Sequence, residues 1–175
     1  MSMLRLDGQQ QIFYEQLAGE SQRPCLVFLH EGLGCTALWR DFPQRLCQRT
    51  GCAGLVYDRI GYGQSSPLIH PRTIHYLHEY ALHELPLVLD ALIPDERFIL
   101  IGHSDGGSIS LLFAAERWPR LIGAITVAAH VFVEPASIEG IEQAQKTFAQ
   151  GQLKKGLAKY HGDKTELLFK AWAKT

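Results

Sequence analysis

The stretch Gly102-His103-Ser104-Asp105-Gly106-Gly107 restricts this chain more than any other. It follows a continuous apolar run, Phe98-Ile99-Leu100-Ile101, and leads into Gly106–Trp118, which reads as a helix stopped by Pro119. A strand that turns directly into a helix forces the residue at the bend into a strained backbone conformation. The neighbours two before and two after must be small, and Gly102 and Gly106 meet that need. Such a bend lifts the Ser104 hydroxyl to the carboxyl edge of the sheet, where open α/β sheets bind ligands. It also sets Ser104 near a helix N-terminus, whose dipole favours developing negative charge. The bland reading is a glycine turn of purely geometric use. The agreement of motif, preceding strand and following helix argues against it.

The rest of the chain supplies the strands and helices that such a bend requires. Met3–Leu6 and Ile12–Leu17 read as a short meander around the Asp7-Gly8 turn signal. Cys25-Leu26-Val27-Phe28-Leu29 and Leu55-Val56-Tyr57 are unbroken apolar runs, the pattern of strands covered on both faces. Leu121–Ala129 is another such run. Between them, Ala37–Arg49 and Thr73–Leu92 carry apolar residues at helical spacing, with a kink expected at Pro86. Asp58–Pro71 is a loop rich in Gly, Ser and Pro. Strand and helix alternate, so the expected fold is α/β with a mostly parallel sheet and right-handed crossovers. The texture changes after Val133. All ten arginines lie at or before Arg120, and all seven lysines at or after Lys146. Two or three polar helices are expected there. The division is therefore a core over residues 1–133 and a separate helical segment over 134–175.

Composition excludes several function classes. The chain has 175 residues, 46% hydrophobic and 20% charged, with a formal net charge of −1. That is one domain with a real core and no electrostatic footprint for nucleic acid. No apolar run reaches the roughly 18–20 residues of a membrane span. Met1–Leu6 lacks a signal peptide's apolar region, so a cytoplasmic location without membrane contact is expected. Cys25, Cys35, Cys47 and Cys52 are expected to be free thiols in that setting, and their spacing forms no metal site.

A second motif, His30-Glu31-Gly32-Leu33-Gly34, follows the strand at Cys25–Leu29. A loop there can aim a backbone N–H at the space above Ser104. Gly32 would supply one donor and Asp105 the other, an oxyanion hole in which a single donor is worth roughly 3–4 kcal/mol. These two motifs and Asp58-Arg59-Ile60-Gly61-Tyr62-Gly63-Gln64-Ser65, over about residues 24–133, resemble the α/β-hydrolase superfamily. The Ser-Asp-Gly-Gly bend is similar to that of its valacyclovir-hydrolase-like and small-esterase branch. The resemblance implies Ser104 as nucleophile, Gly32 and Asp105 as oxyanion donors, and structural roles for Asp58 and Arg59. It implies no cofactor and a small ester, lactone or related acyl substrate. It also implies that residues 134–175 begin a helical lid. Glu31 stands where the family has Gly and is expected to point away from the oxyanion site.

The superfamily order is nucleophile, acid, histidine, the last two after later strands. Those strands, the acid and the histidine are not found in this sequence, so the chain resembles one cut short after the start of the lid. The histidines present have other expected places. His130, at the end of Leu121–Ala129, is a pocket-wall candidate. Glu134 is a candidate alternative acid. His103 is expected in sheet packing and His161 on the lid surface. Trp39, Tyr62, Phe132 and Trp172 are the aromatic candidates for a pocket wall. The strand at Leu121–Ala129 would be an exposed apolar edge, and self-association is expected there.

Two rival readings remain. A hydrolase scaffold without a working triad could act as a binding protein. Gly32-Leu33-Gly34-Cys35-Thr36-Ala37 also matches the dinucleotide fingerprint, with Asp58 about 20 residues on as the ribose acid. That reading leaves Gly102–Gly107 without a purpose.

Overall fold

The computed structural model describes residues 2–6, 8 and 10–174. Asp7, half of the expected Asp7-Gly8 turn, lies outside the described residues. The strands are β1 (Ser2–Arg5), β2 (Gln11–Leu17), β3 (Cys25–Leu29), β4 (Gly54–Tyr57), β5 (Phe98–His103) and β6 (Leu121–Val127). They form one six-stranded sheet in the order β1-β2-β4-β3-β5-β6. β1, β2 and β4 pair antiparallel, whereas β4, β3, β5 and β6 run parallel. This is the α/β-hydrolase fold that the motifs imply.

The order places the ligand site. From β3 the chain crosses to β4 on one side, and from β4 it returns to β5 on the other. The loops leaving the carboxyl ends of β3 and β5 therefore diverge, and a crevice opens between them. His30–Gly34 leaves one strand, and Ser104 follows the other.

Both faces of the central strands are covered, which is why their sequences run apolar without alternation. Leu26, Phe28, Val56 and Ile101 cluster with Cys47 of α1 (Phe42–Thr50). Val27, Leu29, Leu55 and Leu100 join the larger core on the other face. That core takes in Leu85, Val88 and Leu89 of α3 (Leu85–Leu92), and Ile109 and Phe113 of α4 (Asp105–Ala115). Val27, Phe28, Leu55 and Leu100 retain no exposed surface. Burial of each such side chain is worth roughly 1.5–3 kcal/mol. The four cysteines are free and buried. Among the described residues, no helix is long and apolar enough to cross a membrane.

Several element boundaries depart from the sequence pattern for local reasons. The helix expected over Ala37–Arg49 is split. A 3₁₀ turn at Thr36–Trp39 ends at Arg40 with φ 53°, and α1 starts afresh at Phe42. The helical run before β5 starts at Tyr76. It comprises α2 (Tyr76–Glu79), a π turn over Tyr80–Glu84, and α3. Pro86 has no N–H to donate, and the wider turn ahead of it absorbs the break. β6 ends at Val127 rather than Ala129, because Ala128 takes φ 52° and turns the chain away. After it come α5 (Pro135–Ala149), α6 (Gln152–His161) and α7 (Thr165–Lys174). Phe148 of α5 stacks on Phe169 of α7 at 3.8 Å, and Leu168 of α7 enters the larger core.

β6 is the outer strand on its side of the sheet, and Ile125 and Val127 are each 55% exposed. Its uncharged run Leu121–Val127 carries none of the devices that blunt an edge. Light scattering across a dilution series should therefore show association through this strand. Ile125→Lys should hold the chain monomeric at concentrations where the parent associates. A parent chain monomeric throughout would contradict that expectation.

Candidate active site

Ser104 lies between β5 and α4 with φ 52° and ψ −117°, a conformation that side chains bearing a Cβ rarely adopt. Such strain is of order 1–3 kcal/mol and persists only where the surroundings enforce it. Here they do. The Ser104 amide donates to the Val127 carbonyl at 2.8 Å, tying the bend to the end of β6. A Cβ on Gly102 would meet the Gly106 carbonyl and come within 2.6 Å of the Gly107 nitrogen. One on Gly106 would overlap the Leu29 carbonyl and lie 2.8 Å from the His30 oxygen. The two glycines flanking the serine are thus required, one by the bend itself and the other by the end of β3.

That second contact brings the two motifs together. A Cβ on Gly32 would lie 3.0 Å from the Asp105 carboxylate, so the two candidate oxyanion residues adjoin across β3 and β5. The same point is 2.8 Å from Cδ1 of Trp172, which packs on the loop from α7. The Asp105 carboxylate accepts from the Tyr76 hydroxyl at 3.1 Å. Glu31 turns its carboxylate over Gly34 and sits 3.7 Å from Nδ1 of His103. His103 is therefore not packed into the sheet as expected: it is half-exposed and faces Glu31 across the crevice.

Buried polar groups fix the His30–Gly34 loop from below. Arg59 is 1% exposed, and its guanidinium donates to the His30 carbonyl at 2.6 Å and the Glu31 carbonyl at 3.0 Å. Its charge also lies 4.7 Å from the Tyr62 ring centre, a favourable cation–π distance. The His30 imidazole is fully buried. Its Nδ1 donates to the Glu31 carbonyl at 2.8 Å and its Nε2 accepts from the Arg59 amide at 3.3 Å. Burial, and then the Arg59 charge, push its pKa well below the ordinary value, so it is neutral.

Asp58 is equally committed. Its carboxylate accepts from the Thr36 amide at 2.6 Å and the Gln64 amide at 2.7 Å. This overturns the dinucleotide reading. The acid that would hold a ribose is consumed by two backbone amides, and Gly32–Ala37 opens into a 3₁₀ turn rather than a phosphate-binding α-helix.

His130 and Glu134 are brought together, Nδ1 to Oε2 at 2.8 Å, in an exposed pair. Hydrogen bonds from His130 and Ser137 hold the Glu134 carboxyl below its usual range. The His130 backbone is bound on both sides by the Ser108 hydroxyl, one turn along α4 from the bend. Among the described residues, no imidazole is hydrogen-bonded to the Ser104 hydroxyl.

Sequence reasoning misplaced His161 and missed Lys164. His161, expected on the surface, is 2% exposed. It receives the Gly63 amide at Nδ1, 2.9 Å, and gives Nε2–H to the Leu33 carbonyl at 3.0 Å. Lys164 donates to the carbonyls of Tyr62 at 3.0 Å, Gly63 at 2.6 Å, and Ser65. Trp172, an aromatic candidate from the sequence, packs against Gly32. Of the other aromatic candidates, Trp39 packs on Phe28 and Phe42, Tyr62 is fully buried, and Phe132 is 67% exposed. The partners of His161 stand 98 and 128 residues away in sequence, so no local pattern signals its burial.

With this geometry in place, similarity to known proteins decides the family. The sequence profile of the α/β hydrolase fold matches residues 24–156. The chain belongs to the α/β-hydrolase family. A proline iminopeptidase of Lactobacillus helveticus is 30% identical over 117 residues, covering 66% of this chain and 39% of that protein. An sn-1-specific diacylglycerol lipase of Mus musculus is 30% identical over 106 residues, covering 59% of this chain and 32% of its own. The α/β-hydrolase chain thus spans well under half the length of these relatives. A carboxylesterase structure from the thaumarchaeon Nitrososphaera shares the fold with a TM-score of 0.71 at 20% identity, covering 99% of this chain and 67% of its own.

Two substitutions test the bend. Gly106→Ala should destabilise the α/β-hydrolase core by at least about 3 kcal/mol in urea unfolding, since its Cβ collides with backbone. Ser104→Gly should raise stability by about 1 kcal/mol by relieving the strain at φ 52°. A neutral Gly106→Ala would contradict the close approach to β3.

Proposed function

We propose that this chain carries the nucleophile and oxyanion half of a serine hydrolase acting on a small carboxylic ester, lactone or related acyl substrate. The observation that supports it most is the strained Ser104, held at the carboxyl end of β5 by glycines that the bend and β3 both require. Nothing in the packing of an ordinary strand-to-helix turn calls for a serine in that conformation. The adjacency of Gly32 and Asp105 supports the second half of the reading.

In this mechanism the Ser104 hydroxyl attacks the substrate carbonyl carbon and its proton passes to a histidine base. The carbonyl oxygen becomes an oxyanion between the Gly32 and Asp105 amides. Collapse expels the leaving group with the proton from the histidine, and water then hydrolyses the acyl-enzyme. The base and its acid are proposed to come from sequence outside these 175 residues. Two facts support this. The Ser104 hydroxyl has no imidazole partner among the described residues, and the matched relatives are much longer. Residues 134–174 are proposed as the first part of the lid, and the reaction needs no cofactor.

The lack of an imidazole on this hydroxyl among the described residues also favours a second reading, a binding protein on a hydrolase scaffold. A fluorophosphonate probe separates the two. The 175-residue chain should turn over esters slowly, since loss of triad members costs on the order of 10⁴–10⁶ in rate. A longer product of the same reading frame, with an Asp and a His on later strands, should label rapidly, and Ser104→Ala should abolish that labelling. A longer product that does not label would establish the scaffold reading.

A further inference from the structure

Two polar side chains of the C-terminal segment reach the crevice and spend all their hydrogen-bonding capacity there. Lys164, in the turn between α6 and α7, spends its three N–H bonds on three carbonyls of the Tyr62–Ser65 loop. His161, at the end of α6, bridges that loop and the oxyanion loop, accepting from Gly63 and donating to Leu33. Leu33 follows Gly32 directly, so the carbonyl that His161 grips belongs to the residue next to the candidate oxyanion donor.

We propose that His161 is a positioning residue for the oxyanion loop: its neutral ring makes the seating of the C-terminal helices and the shape of the Gly32–Leu33 backbone a single equilibrium. The inference deepens the serine-hydrolase reading and rests on it for its catalytic meaning. The geometry admits only one protonation state. The Nε2–H tautomer satisfies both partners. A second proton on Nδ1 would face the Gly63 N–H, two donors in opposition, and the bridge would open.

Burial, before anything else, makes that proton costly. Lys164, on the same turn, opposes it. Glu31 and the neutral His30 lie on the oxyanion-loop side, with the Cys35 thiol just beyond. Asp58 and the Tyr62 ring lie on the side of the loop after β4. The hydrogen bond to Leu33, then Asp58 and Glu31, favour the proton, but burial outweighs them, and the seated pKa falls below 6.5. The sign follows. A depressed seated pKa means the bridge is fully intact above the unseated value of about 6.5 and is lost as pH falls through the seated value.

Three forms of the chain test this: the parent, His161→Phe, which keeps the ring but no bonds, and His161→Gln, which can keep both bonds but cannot titrate. Amide NMR shifts of Gly32 and Gly63, Gly63 hydrogen exchange and the fluorophosphonate rate at Ser104 are read from pH 8 to 5. In the parent, the two amide shifts should move together in one step below about pH 6.5. The Gln form should keep the parent shifts at pH 8 and lose the step. The Phe form should show the low-pH shifts at every pH, faster Gly63 exchange, and labelling slowed about tenfold, as for a misplaced oxyanion donor. A Gly32 shift unmoved in the Phe form, or a step that persists in the Gln form, overturns the proposal. Should the Phe form fail to fold, the Gln form decides by its step. Should no form of the chain label, the same three forms are read in the longer product, whose failure to label sinks the nucleophile reading alone, and the NMR arm still decides whether His161 sets the loop.

Discussion

Gly106 meets the backbone at the end of β3 with no room for a side chain, and the site depends on that contact. It presses the first turn of α4 against Leu29 and His30, so the serine bend and the His30–Gly34 loop cannot drift apart. A methyl group between them would separate Ser104 from Gly32 by the thickness of a side chain. Protein interiors do not yield continuously to such a wedge. The strain stored at Ser104 is held in place by the same packing.

Around that contact, the loops are shaped by buried polar groups rather than by apolar packing. Arg59 reaches the His30 and Glu31 carbonyls of the His30–Gly34 loop, the His30 ring donates to the same Glu31 carbonyl, and Asp58 holds two amides of the flanking loops. A buried charge is tolerated only when it is well partnered. Removing any one partner would leave the others unsatisfied, so these groups hold their loops in one arrangement. His161 and Lys164 extend the same logic to the C-terminal helices. The loops above the sheet are thus held by buried polar groups, and His161 and Lys164 tie them to the C-terminal helices beside the packing of Trp172 and Leu168.

The strands and the bend were legible because their causes are local. Continuous apolar runs announce strands buried on both faces, and the glycine spacing around Ser104 announces the turn. The adjacency of Gly32 and Asp105 follows from strand order, since β3 and β5 are neighbours with diverging loops. The end of β6 was harder to read, because Ala128 adopts φ 52° without glycine's permission and nothing in its side chain says so. His103 was misplaced because its partner is Glu31, on a different strand's loop. His161 and Lys164 sit in a polar, lysine-rich segment that looks like solvated surface. Their burial is created by acceptors and donors from loops some hundred residues earlier, and backbone carbonyls leave no mark in a sequence.

The central claim is geometric: the Ser104 hydroxyl and two main-chain amides from separate strands face one tetrahedral oxygen. The most direct measurement is a crystal structure of the chain after reaction with a small alkyl fluorophosphonate. The account predicts phosphorus bonded to the Ser104 oxygen and one phosphoryl oxygen within about 3.1 Å of both the Gly32 and Asp105 nitrogens. A phosphonylated Ser104 whose oxygen points to solvent, with those amides bonded elsewhere, would contradict it.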